Sequence, residues 1–574
     1  MSAKPEQKAA TTGRVYINPF VPNQGLKQDQ IDHSARLTYE DVLHAPGVEN
    51  DGEWEASCRF WITHALEETF GISRYASWKG PIPQGANWDF PFIERLPAAK
   101  TEYHALSPLH FNEGTIEGTD AIHSAIFRDQ FAIPEDDARY SERLWLLYGD
   151  QKTVKLSTSV QLDREDNESD FERRKWLQPI VSIFHWAQNR LWAIQKSYTG
   201  PVNNPVTASL AHNMQYRKIK KVPLEQAPFH ELKEVVFQAW EARITALLFV
   251  QLKEEGVDIT NLSQVEAHLK SRQPHDVARY ITSIYNTAFA SQAYGNNCAA
   301  VNTNSDEPPQ DEEFLLLVRF LQDVMPIKNM LYACKYGDIG WVERCYNRSI
   351  VQCLGTGGTN YAREMLFMLW LSHKGVRFNP VVRKAILAGG LVNTRGHEDS
   401  WQAIDHHGEL LNLVVKTWMK EQANSSFDFR TCLSRCLPLV DWWDNWHRAL
   451  EDSVNIRVNA AHSTRSRSLD NLSLGLEITA HSGALQSGGR RLTSFKLPNI
   501  NQAGPKVLRA AITRFNEQMD QDLSSIHIAP RDLVADLEEG DSTLDNDDAG
   551  RPTGPEFAPG DPEDYIYVGA ERDE

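Results

Sequence analysis

Apolar residues recur at intervals of three and four along most of this sequence, which is the spacing of helices with one buried face. The pattern is strongest over 361–371, which is apolar almost all round except at Arg363 and Glu364. Such a segment is expected to form a helix that is buried on most sides. We therefore predict mainly helical structure from 206 to 295 and from 314 to 456.

Short apolar runs in the second hundred residues depart from this spacing and predict strands. Residues 144–148 form a continuous apolar run that is followed by a glycine and Asp150. Residues 154–162 alternate between apolar and polar, which favours a second strand but does not exclude a helix. A third run covers 180–185. Together these runs predict a small α/β core over 136–205.

The predicted fold class is α/β but mostly helical, with a small mixed sheet, a large helical insertion and a helical C-terminal half. Composition divides the remaining segments, because polar stretches rich in Pro, Gly and charge bury too little apolar surface to fold. We expect a disordered N-terminus (1–35), a mostly helical N-terminal segment (36–135), an exposed linker (296–313), an irregular segment with a short helix (457–529) and an acidic disordered tail (530–574).

The net charge of −18 is unevenly distributed. Residues 530–574 contain 15 Asp and Glu against 3 Arg, so this tail carries −12 and the rest of the chain −6. The acidic tail is a candidate surface for protein partners. The densest basic run, 217–221, is compatible with a phosphate contact or nuclear import, and equally with a solvated loop.

The cysteines and the N-terminus indicate an intracellular protein. Seven cysteines lie at irregular spacings, and Cys432 and Cys436 have no second pair nearby that would complete a zinc site. The N-terminus lacks the apolar segment of a signal peptide, and no apolar run approaches the roughly 20 residues that span a bilayer. The glycine-rich stretch 355–358 lacks the order of a phosphate-binding loop and is interpreted as a turn before a helix.

Several carboxylates stand where chemistry is expected. Asp150 closes a predicted buried strand, and open α/β sheets bind ligands at this edge. Glu364 lies among apolar neighbours, where a carboxylate needs a metal, a cation or N–H donors. Two or three such groups can hold Mg²⁺ for phosphodiester cleavage. The candidate catalytic residues are Asp150, Asp338, Glu364 and His185, the three carboxylates being the Mg²⁺ ligands and Asp405 and Glu409 the alternative ligands.

Each candidate also has a structural interpretation. Asp150 can cap the following element through backbone N–H groups. Glu364 can pair with a buried arginine from elsewhere in the chain, which we favour slightly. Asp405 and Glu409 share one helical face, and such faces are usually solvated. Sequence spacing leaves these alternatives open, because only the fold decides whether the carboxylates converge.

Six short motifs follow one another over about 110–460. They are Gly-Asp-Gln-Lys-Thr at 149–153, Ser-Ile-Phe-His at 182–185, Gly-Asp-Ile-Gly at 337–340, Thr-Asn-Tyr-Ala-Arg-Glu at 359–364, Gly-Leu-Val-Asn-Thr-Arg-Gly at 390–396 and Asp-His-His-Gly-Glu-Leu-Leu-Asn at 405–412. Each motif is weak alone, but in this order they resemble fungal proteins grouped as domain of unknown function 6589, which are mostly encoded in or near mobile elements.

The resemblance implies a transposase-derived protein with a ribonuclease-H-like core, by analogy. The chain departs from the family at Lys152, where leucine is usual, and at Ile183, where some relatives have aspartate. Two hypotheses follow. Either Mg²⁺ at the predicted carboxylates cleaves DNA, with His185 orienting a water or a strand, or the chain is an inactive descendant that binds DNA or protein.

Overall fold

The structure, a computed structural model, describes most of the chain. The described residues are 13–22, 25–43, 52–71, 89–203, 206–219, 227–290, 312–376, 379–421, 464–481 and 500–524, with single positions between 436 and 453 and at 492 and 498. The predicted linker, except for Glu312 and Glu313, and the acidic tail at 530–574 lie outside them.

The described strands form three small sheets, with orders β1-β3, β2-β4-β5 and β6-β7. The strands are β1 (Arg14–Ile17), β2 (Leu26–Lys27), β3 (Glu102–Ala105), β4 (Arg143–Gly149), β5 (Leu177–Val181), β6 (Leu391–Asn393) and β7 (Trp401–Ala403).

Helices make up most of the remaining described structure, which confirms the mostly helical α/β class. The first half contains α1 (Tyr39–Leu43), α2 (Gly52–Phe70), α3 (Ile116–Ser124), α4 (Arg139–Glu142), α5 (Gln151–Asp163), α6 (Asp170–Arg173), α7 (Ile183–Tyr198), α8 (Leu210–Tyr216), α9 (Phe229–Glu254), α10 (Leu262–Ser271) and α11 (Pro274–Ala288). The second half contains α12 (Glu312–Tyr336), α13 (Ile339–Thr356), α14 (Thr359–Leu369), α15 (Pro380–Gly389), α16 (Ile404–Glu421), α17 (Thr464–His481) and α18 (Ile500–Ser524).

The central sheet is built on two parallel strands, β4 and β5, with Gly149 opposite Val181 at their carboxyl ends. The short strand β2 pairs antiparallel with β4, so the sheet is mixed. Each parallel strand is followed at once by a helix, α5 after β4 and α7 after β5. The second strand predicted over 154–162 is wrong, because this segment is α5. Its buried side chains, Val154, Ser157 and Val160, have helical spacing.

The prediction of a disordered N-terminus is wrong for the part of it that the structure describes. Strand β1 pairs antiparallel with β3, and β2 extends the central sheet. Two side chains of β1 reach α16, since Arg14 donates to Asn412 at 3.2 Å and the Tyr16 hydroxyl lies 3.0 Å from His407 Nδ1. Long-range pairing therefore orders a segment whose local composition is polar. Residues 1–12 lie outside the described residues.

Helix α9 is the core helix of the helical body. It packs against α2, α12 and α17, and Trp240 on it donates to the backbone oxygen of Leu321 at 3.1 Å. Among the described helices it is long and apolar enough to cross a membrane, but 83% of its most apolar 18-residue window is buried inside the protein. Neighbouring helices therefore bury most of its apolar surface.

The segment 457–529 is more helical than predicted, because it contains α17 and α18. Two glycines let α18 approach α13 closely. A Cβ on Gly355 would lie 2.0 Å from the backbone oxygen of Ile500, and one on Gly504 would lie 2.0 Å from that of Val351. Gly355 is thus a helix-packing residue, while Gly357, with φ +82°, ends α13. The interpretation of 355–358 as the turn before a helix is correct for Gly357.

Candidate functional site

The carboxyl ends of β4 and β5 lie side by side and direct two helices away from one edge of the sheet. The backbone N–H of Ser182 donates to the oxygen of Gly149 at 2.9 Å, so the residues that follow each strand are neighbours. These residues are Asp150 after β4 and Ser182 after β5, and Ile183 begins α7 one position later. The amino ends of α5 and α7 therefore lie at the same edge, where their unpaired N–H groups favour negative charge. We call this region the strand edge.

Asp150 lies at the strand edge and caps α5. One of its carboxylate oxygens accepts the backbone N–H of Thr153 at 2.7 Å. This is the structural interpretation given above for Asp150, and a capping aspartate needs no metal to satisfy it. Asp150 therefore lies at the carboxyl end of β4, where the apolar run at 144–148 predicted it.

Asp405 caps the other helix from a distant part of the chain. It lies in the first turn of α16, and its two carboxylate oxygens accept the N–H groups of Phe184 and His185 at 3.1 and 3.0 Å. It also lies 3.0 Å from Nδ1 of His185. The Asp405 side chain is only 6% exposed. The expectation of a solvated face is therefore wrong for Asp405, which binds α16 to α7.

His185 is held in an acidic environment. Burial acts to lower the pKa of His185, but the hydrogen bond and charge of Asp405 outweigh it, and the charges of Asp150 and Glu409 add to the increase. The net effect raises the pKa of His185 above its usual value of 6.5. The charges of Asp150, Asp405 and Glu409 thus all act on His185 and favour its protonated form.

A neighbouring pair of histidines behaves in the opposite way. Burial lowers the pKa of His406 to about 4, and burial lowers that of His230 to about 4 as well. Their ring centroids are 5.6 Å apart, and the ring of His406 stacks on Phe184 at 4.6 Å. Both rings are neutral at neutral pH. The pKa shifts of His185 and His406 are opposite because the Asp405 carboxylate is hydrogen-bonded to His185, whereas burial dominates at His406.

Two residues that the sequence did not single out as site residues connect α14 to the strand edge. The side-chain amide of Asn189 donates to the Tyr361 hydroxyl at 2.7 Å and to the backbone oxygen of His185 at 2.9 Å. Burial raises the pKa of Tyr361, and the charge of Asp150 adds to this. The only sequence signal for Asn189 is its spacing of four from His185 on one helical face.

Glu364 is buried, as predicted, and its partner is an arginine. The carboxylate lies 2.8 Å from the guanidinium of Arg363, and the glutamate side chain is 4% exposed. The arginine is the preceding residue rather than one from a distant segment. The Arg363 side chain is about one third exposed, so it extends from the buried carboxylate of Glu364 to the solvent.

Asp338 lies in a different environment from the other candidates. It is fully buried and caps α13. Its carboxylate accepts three backbone N–H groups, from Ile93 at 2.8 Å, Glu94 at 2.9 Å and Trp341 at 3.1 Å. Asp338 therefore attaches the segment around residue 94 to the amino end of α13. Three donors around one carboxylate satisfy it without a metal.

The candidate carboxylates do not fit a preassembled Mg²⁺ site. No three His, Cys, Asp or Glu side chains in the described part of the chain are grouped closely enough to hold a metal ion. Asp338, Glu364 and Asp405 each face N–H donors, whose positive ends occupy the place of a cation. The predicted set of Asp150, Asp338 and Glu364 is thus not assembled, and Asp405 and Glu409 do not complete it.

A family model described as a family of unknown function (DUF6589) matches residues 32–462. The chain belongs to this family. The DUF6589 match includes both parallel strands, α7 and the part of α16 that carries Asp405, so the strand edge lies within the family region. Searches of curated proteins and of solved structures gave no match.

Proposed function

We propose that this DUF6589 protein is a catalytically inactive, mobile-element-derived chain that binds DNA without cleaving it. The resemblance to mobile-element proteins supports DNA as the ligand, and the small mixed sheet is compatible with a ribonuclease-H-like origin. The single observation that supports the loss of catalysis is the first residue of α7, two positions after β5. It is Ile183, an apolar residue at a position where some proteins that the chain resembles have aspartate.

On this proposal, Ile183 stands where a catalytic relative would have its second metal ligand. Cleavage by two metal ions requires carboxylates close together, and the ends of adjacent parallel strands can supply them. Ile183 is 3% exposed and belongs to the large apolar core, so it offers no ligand. Asp338 does not compensate, because its carboxylate is buried and bound to three backbone N–H groups.

A second candidate function, Mg²⁺-dependent cleavage of DNA, is favoured by one observation. The charges of Asp150, Asp405 and Glu409 all act on His185. A concentration of carboxylates at the carboxyl edge of a parallel strand pair attracts divalent cations.

Incubation with supercoiled plasmid DNA and Mg²⁺ separates the two candidates. We expect a shift of the DNA band in a native gel and no conversion to nicked circles. Mg²⁺-dependent nicking that is lost in Asp150→Asn would overturn the proposal in favour of the enzyme. If DNA is neither bound nor nicked, the DNA ligand is wrong and a protein ligand takes its place.

A gain-of-function variant tests the argument about Ile183 directly. Ile183→Asp introduces a carboxylate at the start of α7, at the same edge of the sheet as Asp150, and should raise the affinity for Mn²⁺ at least tenfold, as measured by isothermal titration calorimetry. Ile183→Asn is the matched control, because it has nearly the same shape without the charge. Equal Mn²⁺ affinity in the aspartate and asparagine variants would show that position 183 does not determine metal binding.

A further inference from the structure

A strongly apolar surface lies near the end of the family region, at described positions between 436 and 453. All of these positions are helical and exposed. The large residues are between 45% and 57% exposed, whereas core tryptophans such as Trp240 and Trp341 are fully buried. They are Leu439, Trp442, Trp443, Trp446 and Leu450. We call this surface the tryptophan face.

The tryptophan face has the spacing of a coiled-coil seam. Cys436, Leu439, Trp443, Trp446 and Leu450 are separated by alternating intervals of three and four residues. This is the a/d pattern through which one helix packs against another. The seam residue Trp443 packs edge to face against Trp446 on the seam and against Trp442 beside it, with centroids 5.4 and 5.2 Å apart. The pattern therefore specifies a helix as the complementary surface.

In the sequence of this segment, the charged residues do not share the spacing of the seam. Counted in heptads from Cys436, the e and g positions are uncharged and include Trp442 and Ala449. Like charges at these positions would oppose pairing of identical helices. By the same count, the b, c and f positions hold the charged residues of the sequence, which are Asp441, Asp444, Arg448, Glu451 and Asp452.

The size of the tryptophan face also fits self-association. A half-exposed tryptophan presents roughly 100 Å² of surface. The five large residues then present about 500 Å² per copy, and two copies would bury about 1,000 Å², which is the lower limit for a specific interface. A surface this apolar on a single chain usually marks a protein contact.

We infer that the tryptophan face is a homodimer interface, at which the same helix of a second copy of this chain packs. The inference is independent of the proposed DNA-binding function, since the strand edge contributes no residue to this face. Its mechanism is burial of the seam at Trp443 and Trp446, which a single copy leaves exposed to water.

Analytical ultracentrifugation of the full chain over a range of micromolar concentrations tests the inference. We expect the wild type to sediment as a dimer, and Trp446→Lys to raise the dimer dissociation constant more than tenfold. Phe111→Lys is the matched control, because Phe111 is an exposed aromatic residue outside the seam. Circular dichroism confirms that both variants fold, as expected for changes at exposed positions.

A wild type that is monomeric at all concentrations would overturn the inference, as would a Trp446→Lys variant that dimerises normally. Flotation with phosphatidylcholine vesicles identifies one other occupant. Monomeric protein that floats with these vesicles would assign the face to a lipid surface instead.

Cross-linking provides a second measurement that requires no change at the tryptophans. Cys436 is exposed and lies at a seam position. In a parallel dimer the two Cys436 thiols face each other, and oxidation with copper phenanthroline should link them, with Cys436→Ser as control. In an antiparallel dimer Cys436 faces position 453, so the Ser453→Cys variant should link instead. Absence of both cross-links contradicts the dimer.

Discussion

The strand edge and the amino end of α13 both place an aspartate where a helix begins, yet the two sites differ in what surrounds the carboxylate. Asp338 is sealed from solvent and holds three backbone N–H groups. At the strand edge the charges of Asp150, Asp405 and Glu409 gather around a histidine that reaches solvent. The comparison shows that a carboxylate has a structural role when it is buried and accepts several N–H groups. Its position after a strand or a glycine does not decide this.

The largest expected effect is at Asp338. Asp338→Ala leaves three buried N–H groups without an acceptor, and we expect the free energy of unfolding to fall by roughly 4 kcal/mol, as measured with urea. Asp338→Asn keeps an acceptor and should lose about half as much. DNA binding by the folded protein should not change. A loss of less than about 1 kcal/mol in the alanine variant would show that Asp338 is not a structural centre.

Asp405→Ala should have the next largest effect, about 3 kcal/mol, because it leaves His185 and the amino end of α7 without their buried counter-charge. Thermal unfolding followed by circular dichroism measures this. Glu409→Ala is the matched control on the same face of α16 and should change stability by less than about 0.5 kcal/mol. Equal losses of stability in the two variants would show that Asp405 stabilises the fold no more than Glu409 does.

The pH dependence of stability tests the charge on His185. Since its pKa is raised in the folded state, the stabilisation is fully present below the unfolded value of about 6.5 and is lost as pH rises through the folded value. Urea unfolding of wild type and His185→Gln should therefore differ by up to about 2 kcal/mol near pH 5 and converge at high pH. A difference that grows with pH would refute a protonated His185.

The smallest effect is expected at Asp150, whose cap faces solvent. Asp150→Ala should lower the free energy of unfolding by about 1 kcal/mol, the usual contribution of a helix cap. Asp163→Ala, at the other end of α5, is the control and should be neutral or slightly stabilising, because an acid at a helix C-terminus is unfavourable. A loss at Asp150 as large as that at Asp338 would remove the contrast between the two regions.

Much of the local structure was predictable. The apolar run before Asp150 predicted β4, and the apolar stretch that contains Glu364 predicted a buried helix. Both predictions succeeded because segments that pack against neighbours consist mainly of apolar residues. The segment after Asp150 was less certain, and the structure shows a helix there rather than a strand. Over so few residues, the apolar positions fit both the two-residue period of a strand and the 3.6-residue period of a helix. The helix cap at Asp150 favours the helix.

The N-terminus and the segment 457–529 were predicted poorly for one reason. Strand β1 is only four residues long and lies in a polar segment, and its order comes from pairing with β3 and from contacts such as Tyr16 with His407. Helix α18 packs on α13 through Gly355 and Gly504, residues that lower local helix propensity. In both cases long-range contacts outweigh local preference.

For the site, the sequence alone determined which residue types were present and that Asp150 would stand at the end of a strand, although β4 is only partly buried. It also carried the family motifs and the isoleucine at 183. Only the tertiary structure decided which acids share a neighbourhood. Asp405 and His185 are 220 positions apart in the chain, and Asp338 is captured by backbone donors near residue 94. A carboxylate pairs with whichever donors the fold brings within about 3 Å, and sequence separation carries no record of that distance.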